Sequence, residues 1–176
     1  MAWFARCENR LTGMVEIPYG KRMRPRYLRF LIITVVGIAL VAFALDIPWL
    51  LITLIVLGVL NAVVCVGALY VLAKQPHTVS EEELRLRQLG FFDWRLPTSD
   101  IGAAQVAERT HKGQRSVEVI GDALVIQSLT RTNVSVPFHE PQLVNLGKTG
   151  VRRVERVEFW ADDPDRAVRE INARTT

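Results

Sequence analysis

Residues 47–73 read IPWLLITLIVLGVLNAVVCVGALYVLA and contain no charged side chain. As a helix, this stretch would be roughly 40 Å long, which exceeds the hydrocarbon core of a bilayer, about 30 Å thick. A helix in a soluble core rarely stays apolar on every face over such a length. The stretch therefore predicts a transmembrane helix.

A second uncharged run, FLIITVVGIALVAFAL at 30–45, lies just upstream, and it extends to position 28 if the head group of Arg29 reaches the membrane interface. Only Asp46 separates the two runs, and Pro48 suits a first helical position. We predict a transmembrane hairpin with spans 28–45 and 47–73. The alternative is one long span preceded by a partly inserted segment. We reject a cleaved signal peptide because the first run is too long and no small-residue cleavage site follows it.

Positive charge is concentrated before the first span. Residues 1–30 carry seven basic and two acidic side chains, whereas residues 74–176 carry equal numbers of each. We expect 1–27 to be a loosely ordered basic tail beside the membrane. By the positive-inside rule, this basic tail and the hairpin predict a multi-pass protein of the cell (inner) membrane. Its N-terminus and its C-terminal domain would both be cytoplasmic. The basic residues that flank the membrane are Lys21, Arg22, Arg24, Arg26 and Arg29.

The flanking cluster has two interpretations: it sets topology only, or it also attracts anionic lipid head groups. The neutral C-terminal region lacks the basic face that nucleic-acid binding requires, so we expect no nucleic-acid partner.

Polar and small residues inside the spans predict close helix packing. Asn61 lies near the middle of the second span, at a depth similar to that of Thr34 in the first, which suits an interhelical hydrogen bond. Gly37, Gly58 and Ala62 offer small surfaces for helix approach. These residues serve either packing within the hairpin or contact with another subunit or copy. A transport role is disfavoured because the second span has no ionisable group.

Residues 77–176 predict a small cytoplasmic domain of about seven short strands and one C-terminal helix. Alternating apolar residues mark the strands, and Asp163 with Pro164 marks the start of the helix. The fold class is α+β, with a sheet sandwich or barrel that the helix closes. Residues 81–89 are ambiguous: Glu83–Arg87 alternates like a strand, but Ser80 with Glu83 has the spacing of a helical capping box.

Three segments carry a family resemblance: TVSEEELRLR at 78–87 with FDWRLP at 92–97 and Asp100-Ile101, NVSVPF at 133–138, and VEFWADDP at 157–164. Together with the hairpin, they resemble small bacterial membrane proteins in which two transmembrane helices precede a pleckstrin-homology-like (PH-like) domain. The resemblance implies a strand at 83–87 and a scaffold that binds partners or lipids. Lipid-binding members of the wider fold use a basic first turn, whereas the turn QLGFF at 88–92 has no lysine or arginine.

The sequence supplies no catalytic, cofactor-binding or metal-binding signature. The three histidines, His77, His111 and His139, have no ligand spacing, and Gly147-Lys148-Thr149 lacks the upstream glycine of a phosphate-binding loop. Cys7 and Cys65 are expected far apart in depth, without a disulfide.

We therefore predict a non-enzymatic integral membrane protein whose domain is a protein-interaction or scaffold module for an unknown protein partner or for copies of itself. The proposed contact residues Phe91, Phe92 and Trp94 suit the core equally well. One alternative is an anionic-lipid-binding module. The other is an accessory subunit of a membrane transport or envelope-synthesis complex.

Overall fold

The computed structural model describes residues 13–44, 47–112, 115–147 and 150–175. The chain divides into two compact units. One unit is Gly20–Lys74, and the other combines the residues before Gly20 with those after Lys74. The predicted turn residue Asp46 and the tail residues 1–12 lie outside the described residues.

The Gly20–Lys74 unit consists of two long helices, α1 (Arg24–Ala44) and α2 (Pro48–Lys74). Both coincide with the apolar runs, although α1 begins four residues before the predicted span at position 28. Backbone hydrogen bonds from Met23 and Arg24 to the Gly20 carbonyl, both 3.1 Å long, form the turn that leads into α1.

The other unit contains strands, one 3₁₀ turn (Thr98–Asp100) and one further helix. The strands are β1 (Val15–Ile17), β2 (His77–Val79), β3 (Glu83–Gln88), β4 (Phe92–Pro97), β5 (Gln105–Thr110), β6 (Val117–Ile120), β7 (Ala123–Ile126), β8 (Arg131–Asn145) and β9 (Val151–Phe159), and the helix is α3 (Pro164–Asn172). The α+β class, with two long apolar helices followed by sheet, is confirmed.

The first sheet has the order β1-β2-β3-β4, and every neighbouring pair is antiparallel. The strand interpretation of the ambiguous segment is correct, because Leu84 and Leu86 are fully buried on one face of β3. Ser80 does not cap a helix here. Its hydroxyl accepts hydrogen bonds from the backbone N–H groups of Glu82 and Glu83, and it so closes the turn between β2 and β3.

Strand β1 comes from the segment that we expected to be a loosely ordered tail. Val15, Glu16 and Ile17 pair with Val79, Thr78 and His77, respectively. Ile17 is buried in the same core as the side chains of the C-terminal region. The expectation is therefore wrong for these residues, and the hairpin is inserted between two neighbouring strands of one domain.

The second sheet has the order β5-β8-β9-β7-β6. β7 and β9 are parallel, and the other neighbours are antiparallel. Within the described residues the two sheets do not close into a barrel, and eight strands follow the hairpin where about seven were predicted.

Helix α3 packs its buried Ala167 and Ile171 against the common core. Its start matches the prediction, since the Asp163 carboxylate accepts a hydrogen bond of 3.0 Å from the Arg166 backbone. Near its end, the Asn172 amide bonds both backbone groups of Ala104, at 2.7 and 3.1 Å. The helix is therefore fixed at both ends.

Candidate functional site

The two long helices meet along a seam with alternating spacings of three and four residues. The half-buried and buried seam positions are Leu31, Thr34, Ile38 and Val41 of α1, and Leu51, Leu54, Gly58, Asn61, Cys65 and Ala68 of α2. This is the spacing of coiled-coil packing. The hairpin is thus a packed pair of antiparallel helices.

The structure brings Thr34 and Asn61 together at the centre of this seam. The Asn61 amide donates a hydrogen bond of 2.9 Å to the Thr34 hydroxyl, which in turn donates to the Phe30 carbonyl at 3.0 Å. The amide oxygen of Asn61 accepts a weak bond of 3.8 Å from the Cys65 thiol. Because Asn61 is satisfied inside one chain, packing within the hairpin accounts for it.

The small residues of the spans have different roles. A Cβ atom added at Gly58 would clash with the Ile38 side chain, so this glycine permits the close approach of the helices. A Cβ added at Gly37 would meet no atom within 4 Å, so the structure does not support the predicted packing role of Gly37. Ala62 is half-buried beside the seam.

Away from the seam, both helices expose large apolar side chains. Leu40, Val63 and Tyr70 are examples, each more than 60% exposed. Segments Arg24–Ala42 and Pro48–Lys74 are long and apolar enough to cross a membrane, and almost none of their residues are fully buried. A core helix of a soluble protein would be mostly buried, so this low burial favours contact with lipid.

The five predicted flanking cations lie in the turn before α1 and in the first two turns of the helix. Arg24, Arg26 and Arg29 are exposed and form no ion pair within the described part of the chain. The first turn of α1 has no acidic residue. Cations at a helix N-terminus oppose the helix dipole, so an external anion near these arginines would be stabilising.

His77 is the first residue of β2, which follows the hairpin in the chain and pairs with β1, the strand that precedes the hairpin. Its ring stacks on Tyr19 at a centroid distance of 4.4 Å, meets Phe159 edge-on at 5.3 Å, and accepts a hydrogen bond of 3.1 Å from the Arg87 backbone. Burial lowers the pKa of His77 to about 3; a hydrogen bond with the Trp160 backbone acts against this shift, and the charge of Arg87 adds to it. His77 is therefore a neutral core residue.

The turn between β3 and β4 presents the most exposed apolar side chain of the domain. Phe91 is 91% exposed, and it follows Leu89 and Gly90, which both have positive φ angles. The Leu89 backbone N–H donates to the Tyr19 hydroxyl at 3.3 Å. Of the other predicted contact residues, Phe92 packs partly on the core, and Trp94 meets Phe138 edge-on at 5.8 Å. Of the three predicted contact residues, Phe91 is exposed, whereas Phe92 and Trp94 are half-buried.

An arginine-rich face lies beside this turn. Arg85 forms a two-pronged salt bridge with Asp93, whose pKa is lowered chiefly by this hydrogen bond. Arg87 lies 4.0 Å from the same carboxylate, and exposed Arg95 is opposite Arg85 in the strand register. Gln75, Gly90 and Phe92 complete the lining of an open cavity of about 270 Å³ at Arg85, Arg87 and Asp93.

A buried carboxylate, which sequence analysis missed, lies on the second sheet. Glu158 is 1% exposed, and its carboxylate lies 2.5 Å from Arg109, 3.1 Å from Arg156 and 3.3 Å from His111. Arg156 also pairs with Asp122 at 2.6 Å. These ion pairs connect β5 and β9 with the turn before β7. Each charge in the cluster therefore has a structural role.

The remaining histidine, His139, is exposed at the surface. Among the described residues, no three His, Cys, Asp or Glu side chains are grouped so that they could hold a metal ion. Asn133, part of a glycosylation-like sequence, is buried and bonds the Ala161 backbone through both ends of its amide, at 2.7 and 2.8 Å. It is therefore a structural residue.

Comparisons with models of known protein families, with curated proteins and with solved structures gave no match for this chain.

Proposed function

We propose that this chain is an integral membrane protein of the bacterial cell membrane, anchored by the hairpin α1–α2. The observation that carries the proposal is the register of β1 and β2, in which Ile17 faces His77. These strands lie on opposite sides of the hairpin in the chain, yet they pair with each other. The chain must therefore cross the membrane an even number of times between them, which favours two spans over one. The flanking arginines support a cytoplasmic domain.

The domain itself acts, in this proposal, as a non-enzymatic interaction module for a protein partner. Its buried polar side chains are used for structure: His77 fixes the junction, Asn133 fixes the end of β9, and Glu158 neutralises two arginines. The resemblance to PH-like membrane proteins supports a binding scaffold, and the two open sheets with a docked helix are compatible with one.

The test is residue-specific photocrosslinking of the full chain in native membranes, followed by mass spectrometry. A photoreactive residue at exposed Phe91 or exposed Leu143 samples two parts of the domain surface, and one at lipid-facing Val63 is the control. We expect protein adducts from at least one domain position. If the only adducts came from Val63, the hairpin would be the interface, as in an accessory subunit of a membrane complex.

A second candidate function, binding of anionic lipid by the domain, is favoured by the composition of the turn between β3 and β4. Exposed Phe91 lies beside a face with three arginines and two carboxylates, Asp93 and Glu83. Gln75, which lines the cavity there, directly follows Lys74, the last residue of α2. An aromatic tip next to guanidinium groups suits the interface between phospholipid head groups and acyl chains.

An environment-sensitive fluorophore on Phe91→Cys separates the two functions. The variant is made in a chain whose native cysteines are replaced, and it is placed in nanodiscs of neutral or anionic lipid. Lipid binding predicts a blue-shifted emission that requires anionic lipid, with no shift for the same label at Leu143→Cys. Equal spectra in both lipids would exclude this candidate.

A further inference from the structure

Strand β6 is an edge strand of the second sheet that carries no bulge, proline or basic side chain. The edges are β1, β4, β5 and β6. Edges of natural sheets usually carry short strands, bulges, prolines or basic residues that prevent further pairing. β1 has three residues, β4 ends at Pro97, and β5 has a register shift between Val106 and Arg109. β6 reads VEVI; it has four residues, but no bulge, proline or basic side chain.

A cleft of about 240 Å³ lies against this edge. Val117 and Val119 of β6 and Leu146, which follows β8, form its apolar lining. The volume is below the usual range for small-molecule pockets, about 300–1,000 Å³, but it is large enough for one or two side chains. An extended chain added to β6 would place alternate side chains into such a cleft.

The charged groups of the cleft indicate the chemistry of its occupant. Arg115 and Arg152 both line it, and Arg152 is exposed and forms no ion pair within the described residues. Glu118 also lines the cleft, and one of its carboxylate oxygens is buried without a hydrogen-bond partner among the described atoms. A carboxylate on the occupant would pair with a guanidinium.

We propose that β6 binds an extended segment of a partner protein by strand addition, with an apolar side chain in the cleft and a flanking acidic side chain against Arg152. This inference rests on the proposed function and names the class of partner: an acidic–apolar strand. Main-chain hydrogen bonds to β6 would supply affinity, and the cleft would supply specificity.

The probe is a fluorescein-labelled peptide of alternating aspartate and valine, titrated against the full chain in phosphatidylcholine nanodiscs and followed by anisotropy. We expect saturable binding that Arg152→Glu weakens by about tenfold or more. Arg153→Glu is the matched control: it is the next residue of β9, equally charged and exposed, but it does not line the cleft. A peptide with alternate backbone nitrogens methylated should not bind, because it cannot form the strand hydrogen bonds.

Equal weakening by the two variants, or unchanged binding of the methylated peptide, would overturn strand addition at β6. A further outcome would also overturn the proposal: the chain is dimeric in nanodiscs, Arg152→Glu makes it monomeric, and the peptide does not bind. In that case β6 would pair with a second copy of the chain. If the peptide does not bind but photocrosslinking at Phe91 or Leu143 gives protein adducts, only strand addition at β6 is rejected. If neither experiment detects binding, the proposed function as an interaction module is rejected as well.

Discussion

Ile17 and His77 face each other on adjacent antiparallel strands, although the whole hairpin lies between them in the chain. Ile17 is 3% exposed and His77 is 1% exposed, so both belong to the interior of the domain. Strand β1, which precedes α1 in the chain, is consequently part of the domain, and a fragment that begins after α2 would lack an edge strand and part of its core.

The first prediction concerns this edge strand. Ile17→Ala removes buried apolar volume, and it should lower the free energy of unfolding of the domain by about 2–4 kcal/mol. The measurement is denaturant unfolding of the full chain in detergent, followed by tryptophan fluorescence. Met14→Ala, at a position 37% exposed just before β1, is the control and should change stability by less than about 0.5 kcal/mol. Equal effects would show that β1 is not part of the core.

The second prediction concerns the hydrogen bond between Asn61 and Thr34. Asn61→Leu and Thr34→Val should each destabilise helix pairing by about 0.6 kcal/mol, and the double variant should cost less than the sum. A double-mutant cycle on the helix association of the reconstituted chain measures this coupling. Thr53→Val is the control, because the Thr53 hydroxyl bonds only the Trp49 carbonyl of its own helix. Additive effects would mean that the two side chains do not interact in the bilayer.

The third prediction concerns acid sensitivity through His77. Burial lowers its pKa from the ordinary 6.5 to about 3. Between pH 6.5 and pH 3, His77 is therefore protonated in the unfolded chain but neutral in the folded domain. The stability that neutral His77 contributes is complete above about pH 6.5, and it is lost as the pH falls toward 3, at up to about 1.4 kcal/mol per pH unit.

Unfolding free energies measured across this pH range test the point. His77→Phe should be less stable near neutral pH but should show a shallower pH dependence. His139→Gln, which alters an exposed histidine, should leave the slope unchanged. An unchanged slope in His77→Phe would assign the acid sensitivity to other groups.

The fourth prediction concerns the buried carboxylate of Glu158. Glu158→Gln keeps the shape but removes the charge that faces Arg109 and Arg156, and it should destabilise the domain by about 1–3 kcal/mol. Glu155→Gln, on the exposed part of the same strand, should have little effect. Thermal unfolding of the two variants provides the comparison, and equal melting temperatures would contradict the role given to Glu158.

Local patterns in the sequence were sufficient to predict the helices. The uncharged runs predict α1 and α2 because no soluble environment suits them, and Asp163 with Pro164 predicts the start of α3. The equal depth of Thr34 and Asn61 also follows from counting residues away from the turn. For β3, alternation outweighed the capping signal, because burial of Leu84 and Leu86 requires a strand.

Long-range pairing was not predictable in the same way. β1 has three residues, too few for a periodic signal, and it is stabilised by partners beyond the hairpin. The parallel pairing of β7 with β9 has no local signature, because neither strand sequence specifies its neighbour. Alternation alone would place Glu158 on a solvent face, and only the sheet order brings Arg109 near it. Gly37 resembles Gly58 in sequence, but an added Cβ atom would meet a side chain of the other helix only at Gly58.

The most direct test of the central claim is the side of the membrane on which β1 and the rest of the domain lie. In a chain without native cysteines, single cysteines at Met14 and at Ser99 are labelled with a membrane-impermeant maleimide. The account predicts that both react in inverted vesicles and that neither reacts in sealed right-side-out cells. Labelling of the two positions from opposite sides would contradict the paired strands and the hairpin together.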